Sequence, residues 1–246
     1  MEIKDIQIVR DLTEEDAGAG FLQLSRLLLR NIYADGTISA EYRCDIVSRE
    51  YTDAVALCIY HIDNKRSVKV IMKESPRAPI YLRKHKKIIM EDQRSYLTII
   101  ELVAGLLEKG DGDPGGLERR AVAEAEEEAG VKVSEESIHL LGEETFASPG
   151  ISDEKIYFTS VEVPDINCRA PKGDGSVMEE ASRAVVLDLR EAIRMCRDGR
   201  IPDMKSEMGL LRLADQIGYL AQLDKFVHEL PKDLQDQYDR LGLTTG

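Results

Sequence analysis

No stretch of the sequence approaches the roughly 20 apolar residues that a membrane-spanning helix requires, so a bilayer-crossing protein is not expected. Paired cysteines are also missing. Cys44, Cys58, Cys168 and Cys196 stand far apart with no C-x-x-C pair among them, which argues against a zinc-finger framework and for buried free thiols. His61, His85, His139 and His228 are isolated, so any metal is expected to be held by oxygen rather than imidazole. Positive charge is in deficit: 33 Lys and Arg against 46 Asp and Glu give −13, and a nucleic-acid partner, which needs clustered cations, is not expected. The one basic run, Arg83-Lys84-His85-Lys86-Lys87, reads as a solvated loop, with attraction of an anionic substrate as the alternative. The start, Met1-Glu2-Ile3-Lys4-Asp5, has neither the basic nor the apolar region of a secretion signal, so a cytoplasmic location is expected. Internal repeats and low-complexity tracts are absent too.

What is present is a chain of 246 residues with 43% hydrophobic and 32% charged content, enough for one large domain with a smaller addition. The first 20 residues read as a short strand and a loop. Helix and strand compete over Phe21 to Arg30, while Asp35-Gly36 marks a turn leading to an extended segment from Ile38 to Val47. A small antiparallel sheet, residues 1–50, is therefore expected ahead of the main body, residues 51–230, with an acidic tail over 231–246. Two apolar runs, Ala54 to Tyr60 and Val68 to Met72, predict central strands. Tyr96 to Val103, Ile138 to Phe146, Lys155 to Val163 and Arg183 to Leu189 predict further strands. Leu117 to Ala129 predicts a helix stopped by Gly130. Arg190 to Asp198 predicts another helix, and the stripe of apolar residues from Lys205 to Val227 a last long one.

On the helix ending at Gly130, Glu124, Glu127 and Glu128 stand at i, i+3 and i+4, so their carboxylates share one face and Glu126 points elsewhere. Like charges at that spacing repel, and the helix C-terminus disfavours anions. A solvated acidic face would offset its glutamates with lysines four residues away; here Arg120 alone stands one turn before Glu124. A divalent cation would convert the repulsion into coordination, and Mg2+ suits carboxylates that also meet phosphates.

Gly105-Leu106-Leu107-Glu108-Lys109-Gly110-Asp111, followed by Glu124-Ala125-Glu126-Glu127-Glu128-Ala129-Gly130-Val131, resembles the Nudix box, G-x5-E-x7-R-E-U-x-E-E-x-G-U. Three departures stand out. Asp111 replaces the first glutamate, the interval to Glu124 is four residues longer, and Ala123 replaces the arginine, for which Arg119 and Arg120 are candidate substitutes. Glu101-Leu102-Val103-Ala104-Gly105-Leu106-Leu107, Lys73-Glu74-Ser75-Pro76-Arg77-Ala78-Pro79, Ser148-Pro149-Gly150-Ile151-Ser152-Asp153-Glu154 and Gly199-Arg200-Ile201-Pro202-Asp203-Met204-Lys205 resemble flanking segments of the branch that acts on ADP-ribose and other nucleoside-diphosphate sugars.

The resemblance implies an α/β/α sandwich with a mixed sheet, preceded by an antiparallel sheet through which relatives form homodimers. It implies Mg2+, with Mn2+ as the alternative, at Glu124, Glu127, Glu128, the Ala104 backbone and Glu180. It implies proton acceptance by Glu179 or a box carboxylate such as Glu124, and substrate contacts at Arg77, Gly105, Ser148, Pro149 and Gly150. The implied reaction is hydrolysis of a nucleoside-diphosphate sugar to a nucleoside monophosphate and a sugar phosphate. ADP-ribose leads as substrate, followed by UDP-sugars or GDP-mannose; a non-catalytic Nudix-homology domain that binds a nucleotide as a regulator is the competing expectation.

Overall fold

A computed structural model describes residues 8–9, 20–168 and 181–240. The first segment with competing signals is a strand: β1 (Gln23–Leu29) pairs antiparallel with β2 (Tyr42–Ser48) across the Asp35-Gly36 turn, forming a two-stranded ribbon. Most of the expected strand and loop in the first 20 residues lies outside the described residues.

The main sheet is built on β3 (Ala54–Ile62) and β4 (Val68–Pro76), whose apolar runs are nearly continuous because both sheet faces are covered. A four-residue helix, α1 (Ala78–Tyr81), follows β4. Then come β5 (Thr98–Glu101), β6 (Val103–Leu106), α2 (Gly116–Ala129), β7 (His139–Leu140), β8 (Thr145–Phe146) and β9 (Lys155–Glu162). The chain continues with β10 (Arg183–Asp188), α3 (Leu189–Arg197) and α4 (Met204–Gln216). The backbone of the sheet runs β10-β4-β3-β9-β7, with β3 and β9 parallel and the other pairs antiparallel, so the sheet is mixed.

Strand alternation sorts the core into two halves. Val55, Leu57 and Ile59 face Ala121, Ala125 and Ala129 of α2. Ala56, Cys58 and Tyr60 belong to the opposite half, with Leu189 and Ile193 of α3 and Leu210 and Leu213 of α4. The architecture is therefore the expected α/β/α sandwich with a small antiparallel sheet ahead of it.

One topological feature positions everything that follows. β3 pairs with β4 over Ile59 to Ile62, but its first residues pair with β6, while the end of β4 pairs with β5. The segment from Thr98 to Leu106 is thus a wedge between two diverging strands. The ladder breaks at Leu102, whose N–H donates instead to Ser206 Oγ of α4 at 2.8 Å.

Three expectations need correction. The stripe from Lys205 to Val227 is not one helix: α4 ends at Gln216, Gly218 takes a left-handed φ of 63°, and a hairpin of β11 (Tyr219–Leu220) and β12 (Lys225–Phe226) follows. Apolar spacing in that hairpin imitated helical periodicity. The extended stretch from Ile138 to Phe146 is interrupted between β7 and β8, where Gly142 has positive φ. Of the four free cysteines, Cys58 and Cys196 are buried, but Cys44 and Cys168 are partly exposed. A short helix, α5 (Lys232–Arg240), occupies the acidic tail. Among the described residues no helix is long and apolar enough to cross a membrane.

Candidate active site

Helix α2 can lie close to the wedge because the residues it presents are alanines, Ala121, Ala125 and Ala129, all fully buried. Small side chains bring the helix near the sheet, and the adjoining stripe of Arg120, Glu124 and Glu128 is carried down with it. Glu124 is 8% exposed and Glu128 6%, while Glu127 is half-buried. Glu124 lies directly over Gly105: a Cβ there would overlap the glutamate's Oε1, Cδ and Cγ atoms. Gly105 is therefore the residue that makes room for the carboxylate.

The two buried glutamates differ in their partners. Glu128 accepts the Lys73 ammonium on Oε1 and the Ala104 N–H on Oε2 at 3.1 Å. Glu124 has Arg120 Nη1 at 3.8 Å from its Oε1, beyond hydrogen-bond reach. Burial, reinforced by the charges of Glu128 and Glu127, pushes the Glu124 carboxyl up to about 8, against a smaller opposing pull from Arg120 and Lys73.

Of the two candidate arginines, Arg120 is the one that reaches the carboxylate face. Its Nε donates to Asp111 Oδ2 and its Nη2 lies against Glu108 Oε2, both at 3.0 Å, while Nη1 faces Glu124. Arg119 instead pairs with Asp113. Asp111 is used internally as well: it also accepts the Glu108 N–H at 2.9 Å, closing a tight turn before the helix. The segment between Asp111 and α2 loops out and returns, because Gly116 packs against the Asp111 backbone so closely that a Cβ would overlap it.

Behind this centre lies a second buried carboxylate that the sequence motifs include without marking. Glu101, 2% exposed, accepts Ser75 Oγ at 2.9 Å, Arg77 Nε at 2.7 Å and Lys205 Nζ at 2.6 Å. Burial alone would raise its pKa, but Lys205, Arg77 and Lys73 outweigh that and hold it at about 2. Lys205 also binds Asp203, which caps α4 by accepting the Ser206 N–H. The segment opening α4 is thus a latch onto the wedge. Arg77 keeps about a third of its side chain exposed while Glu101 grips it.

Ser148, Pro149 and Gly150 form a turn in which the Ser148 carbonyl accepts the N–H groups of Ile151 and Ser152. The turn leads into β9 beside Ala54, at the same end of β3 that pairs with Leu106. Its continuation is fastened to the ribbon: Ser48 Oγ donates to Asp153 at 2.8 Å and Arg49 to Glu154 at 3.0 Å. The Arg83 run is a single turn in which Arg83 locks onto Asp92. Glu179 and Glu180 lie outside the described residues. Lys73, which sequence reasoning gave no role, is the residue the structure adds. Strand alternation from the buried Ile71 would have placed it on the α2 face.

The donor chemistry of the cluster fits a hard divalent cation, since Glu124 is buried among like charges with its nearest guanidinium out of bonding range. Among the described residues, however, no three such side chains already converge as a metal-binding group. No protein-family model matches the sequence, and no curated protein matches it.

Proposed function

We propose that this chain is a Mg2+-dependent hydrolase of the Nudix type, cleaving the diphosphate of a nucleoside-diphosphate sugar. ADP-ribose is the first candidate, UDP-sugars and GDP-mannose the next, and Mn2+ the alternative ion. Glu124 carries the reading. A carboxylate held over a glycine, beside two like charges, with its pKa pushed up to about 8, is a poor structural element and a good cation ligand.

Glu124, Glu127 and Glu128 would hold the ion, with the Ala104 and Gly105 backbone beside them and Glu180 as a further ligand. Bound Mg2+ would supply charge neutralisation at the diphosphate and a more acidic water. Arg77, fixed from behind by Glu101 yet partly exposed, is preorganised to grip phosphate oxygens with its remaining donors. Glu179 or Glu124 would take the proton of the attacking water, and the Ser148-Pro149-Gly150 turn would border the sugar. The exposed leucines along the ribbon, Leu22, Leu24, Leu27 and Leu28, support a homodimer, because a run of exposed apolar side chains of this kind is a surface that a partner covers. A cytoplasmic location belongs to the same proposal.

The test is to incubate the protein with a panel of nucleoside-diphosphate sugars and Mg2+ and to measure monophosphate release. Turnover of one member, ADP-ribose first, is expected; no release from any member overturns the hydrolase. Lys73 on Glu128 and alanine at position 123 favour a second reading, a nucleotide-binding regulator of the same fold, which predicts tight binding of one member without release.

A further inference from the structure

We infer that Lys73 is a resident surrogate cation, holding Glu128 when no divalent ion is bound and yielding that carboxylate when one binds. The inference rests on the metal-centre reading above and assigns its control to a residue of β4. Lys73 is 4% exposed and its partner 6%, so the pair is shielded from solvent. Glu128 gives one oxygen to the Lys73 ammonium and the other to the Ala104 N–H. Both oxygens of Glu128 thus already have a protein partner, so an ion shared with Glu124 and Glu127 competes with the Lys73 ammonium for Oε1.

A buried ammonium released from its only carboxylate would carry a cost of several kcal/mol. Lys73 avoids this because it stands between two carboxylates. In the β4–β5 register it is directly opposite Glu101, and its charge already contributes to holding Glu101 ionised. A shift of the flexible ammonium from Glu128 toward Glu101 keeps it beside an anion while two positive charges enter on the other side. Glu128 is never left buried and uncompensated, with Lys73 present in one state and the divalent ion in the other. The arrangement makes metal uptake a competition, so Lys73 lowers metal affinity while it stabilises the metal-free fold.

The experiment is calorimetric titration of Mn2+ into the wild-type protein, Lys73→Met and Lys73→Arg, with circular dichroism confirming the fold. Removing the competitor is expected to tighten Mn2+ binding about tenfold in Lys73→Met, equivalent to about 1.4 kcal/mol. The bidentate grip of arginine on a carboxylate is expected to weaken it in Lys73→Arg. Should Lys73→Met fail to fold, Lys73→Arg decides alone: unchanged or tighter binding sinks the inference. If the wild type binds Mn2+ and Lys73→Met binds it no more tightly, the surrogate role fails while the metal centre stands. If none of the three proteins binds Mn2+, both proposals fall.

Discussion

Glu101 and Glu124 are 2% and 8% exposed, and both touch the wedge between β3 and β4, yet burial has opposite consequences for them. Around Glu101 the chain has gathered Arg77, Lys205 and Ser75, and the carboxyl is held at about 2. Around Glu124 it has gathered two more glutamates, and the carboxyl is pushed up to about 8. A fold can afford an incomplete electrostatic site when something outside the chain completes it. Glu101 is thus the structural member of the pair, binding α4 to the sheet through Lys205, and Glu124 the member on which the proposed function rests.

The largest expected effects separate these roles. Glu127→Gln should lower Mg2+-dependent turnover at least about a hundredfold, the scale for losing a charge-stabilising group at a reaction centre, with little change in melting temperature because Glu127 is half-buried. Glu128→Gln should lose as much activity with only a small loss of stability, since the Lys73 ammonium can turn to Glu101, directly opposite it in the β4–β5 register. Glu101→Ala should lose stability by about 3 kcal/mol, the cost of stranding buried cations, and Mg2+ should not restore it. If Glu101→Ala melts like the wild type, or Glu127→Gln keeps its turnover, the division between the two carboxylates is wrong.

The pH dependence of the metal-free protein sharpens the same contrast. The folded pKa of Glu101 is depressed from 4.5 to about 2, so its contribution is present above 4.5 and is lost as pH falls through about 2. That of Glu124 is raised from 4.5 to about 8, so stability associated with its protonated form is present below 4.5 and is lost as pH rises through about 8. Glu124→Gln should therefore flatten the decline in denaturation free energy between pH 5 and pH 8. Wild-type protein with Mg2+ should show the same flattening. Parallel wild-type and Glu124→Gln curves over that range would contradict the assignment.

Much of this was legible in the sequence where the signal is local. The face shared by Glu124, Glu127 and Glu128 follows from helical spacing, and the central strands follow from their apolar runs. The wedge was not legible, because the insertion of Thr98 to Leu106 between β3 and β4 is a long-range pairing that no window of the sequence contains. For the same reason Lys73 was given no role: its partners Glu128 and Glu101 come from α2 and β5. The hairpin after α4 was misread because Leu220, Leu223 and Phe226 continue the apolar spacing of the helix past Gly218, whose left-handed backbone ends it.

The smallest expected effect concerns which arginine serves the carboxylate face under the proposed function, where the Nudix resemblance expects one and Ala123 stands. Arg120, its side chain 15% exposed, holds Glu108 and Asp111 and faces Glu124, whereas Arg119, 37% exposed, pairs with an Asp113 side chain 64% exposed. Exposed pairs contribute between nothing and about 1 kcal/mol, so Arg119→Ala should be close to neutral in stability and turnover. Arg120→Ala should loosen the turn that ends at Asp111 and remove the cation nearest Glu124, raising that carboxyl's pKa further. We expect turnover to fall about tenfold, corresponding to about 1.4 kcal/mol of transition-state stabilisation, with the Mg2+ concentration for half-maximal rate shifted upward. Equal losses in the two variants would mean that neither arginine is specific to the carboxylate face. An unchanged Arg120→Ala variant would mean that Glu124 is oriented by Gly105 and the helix alone.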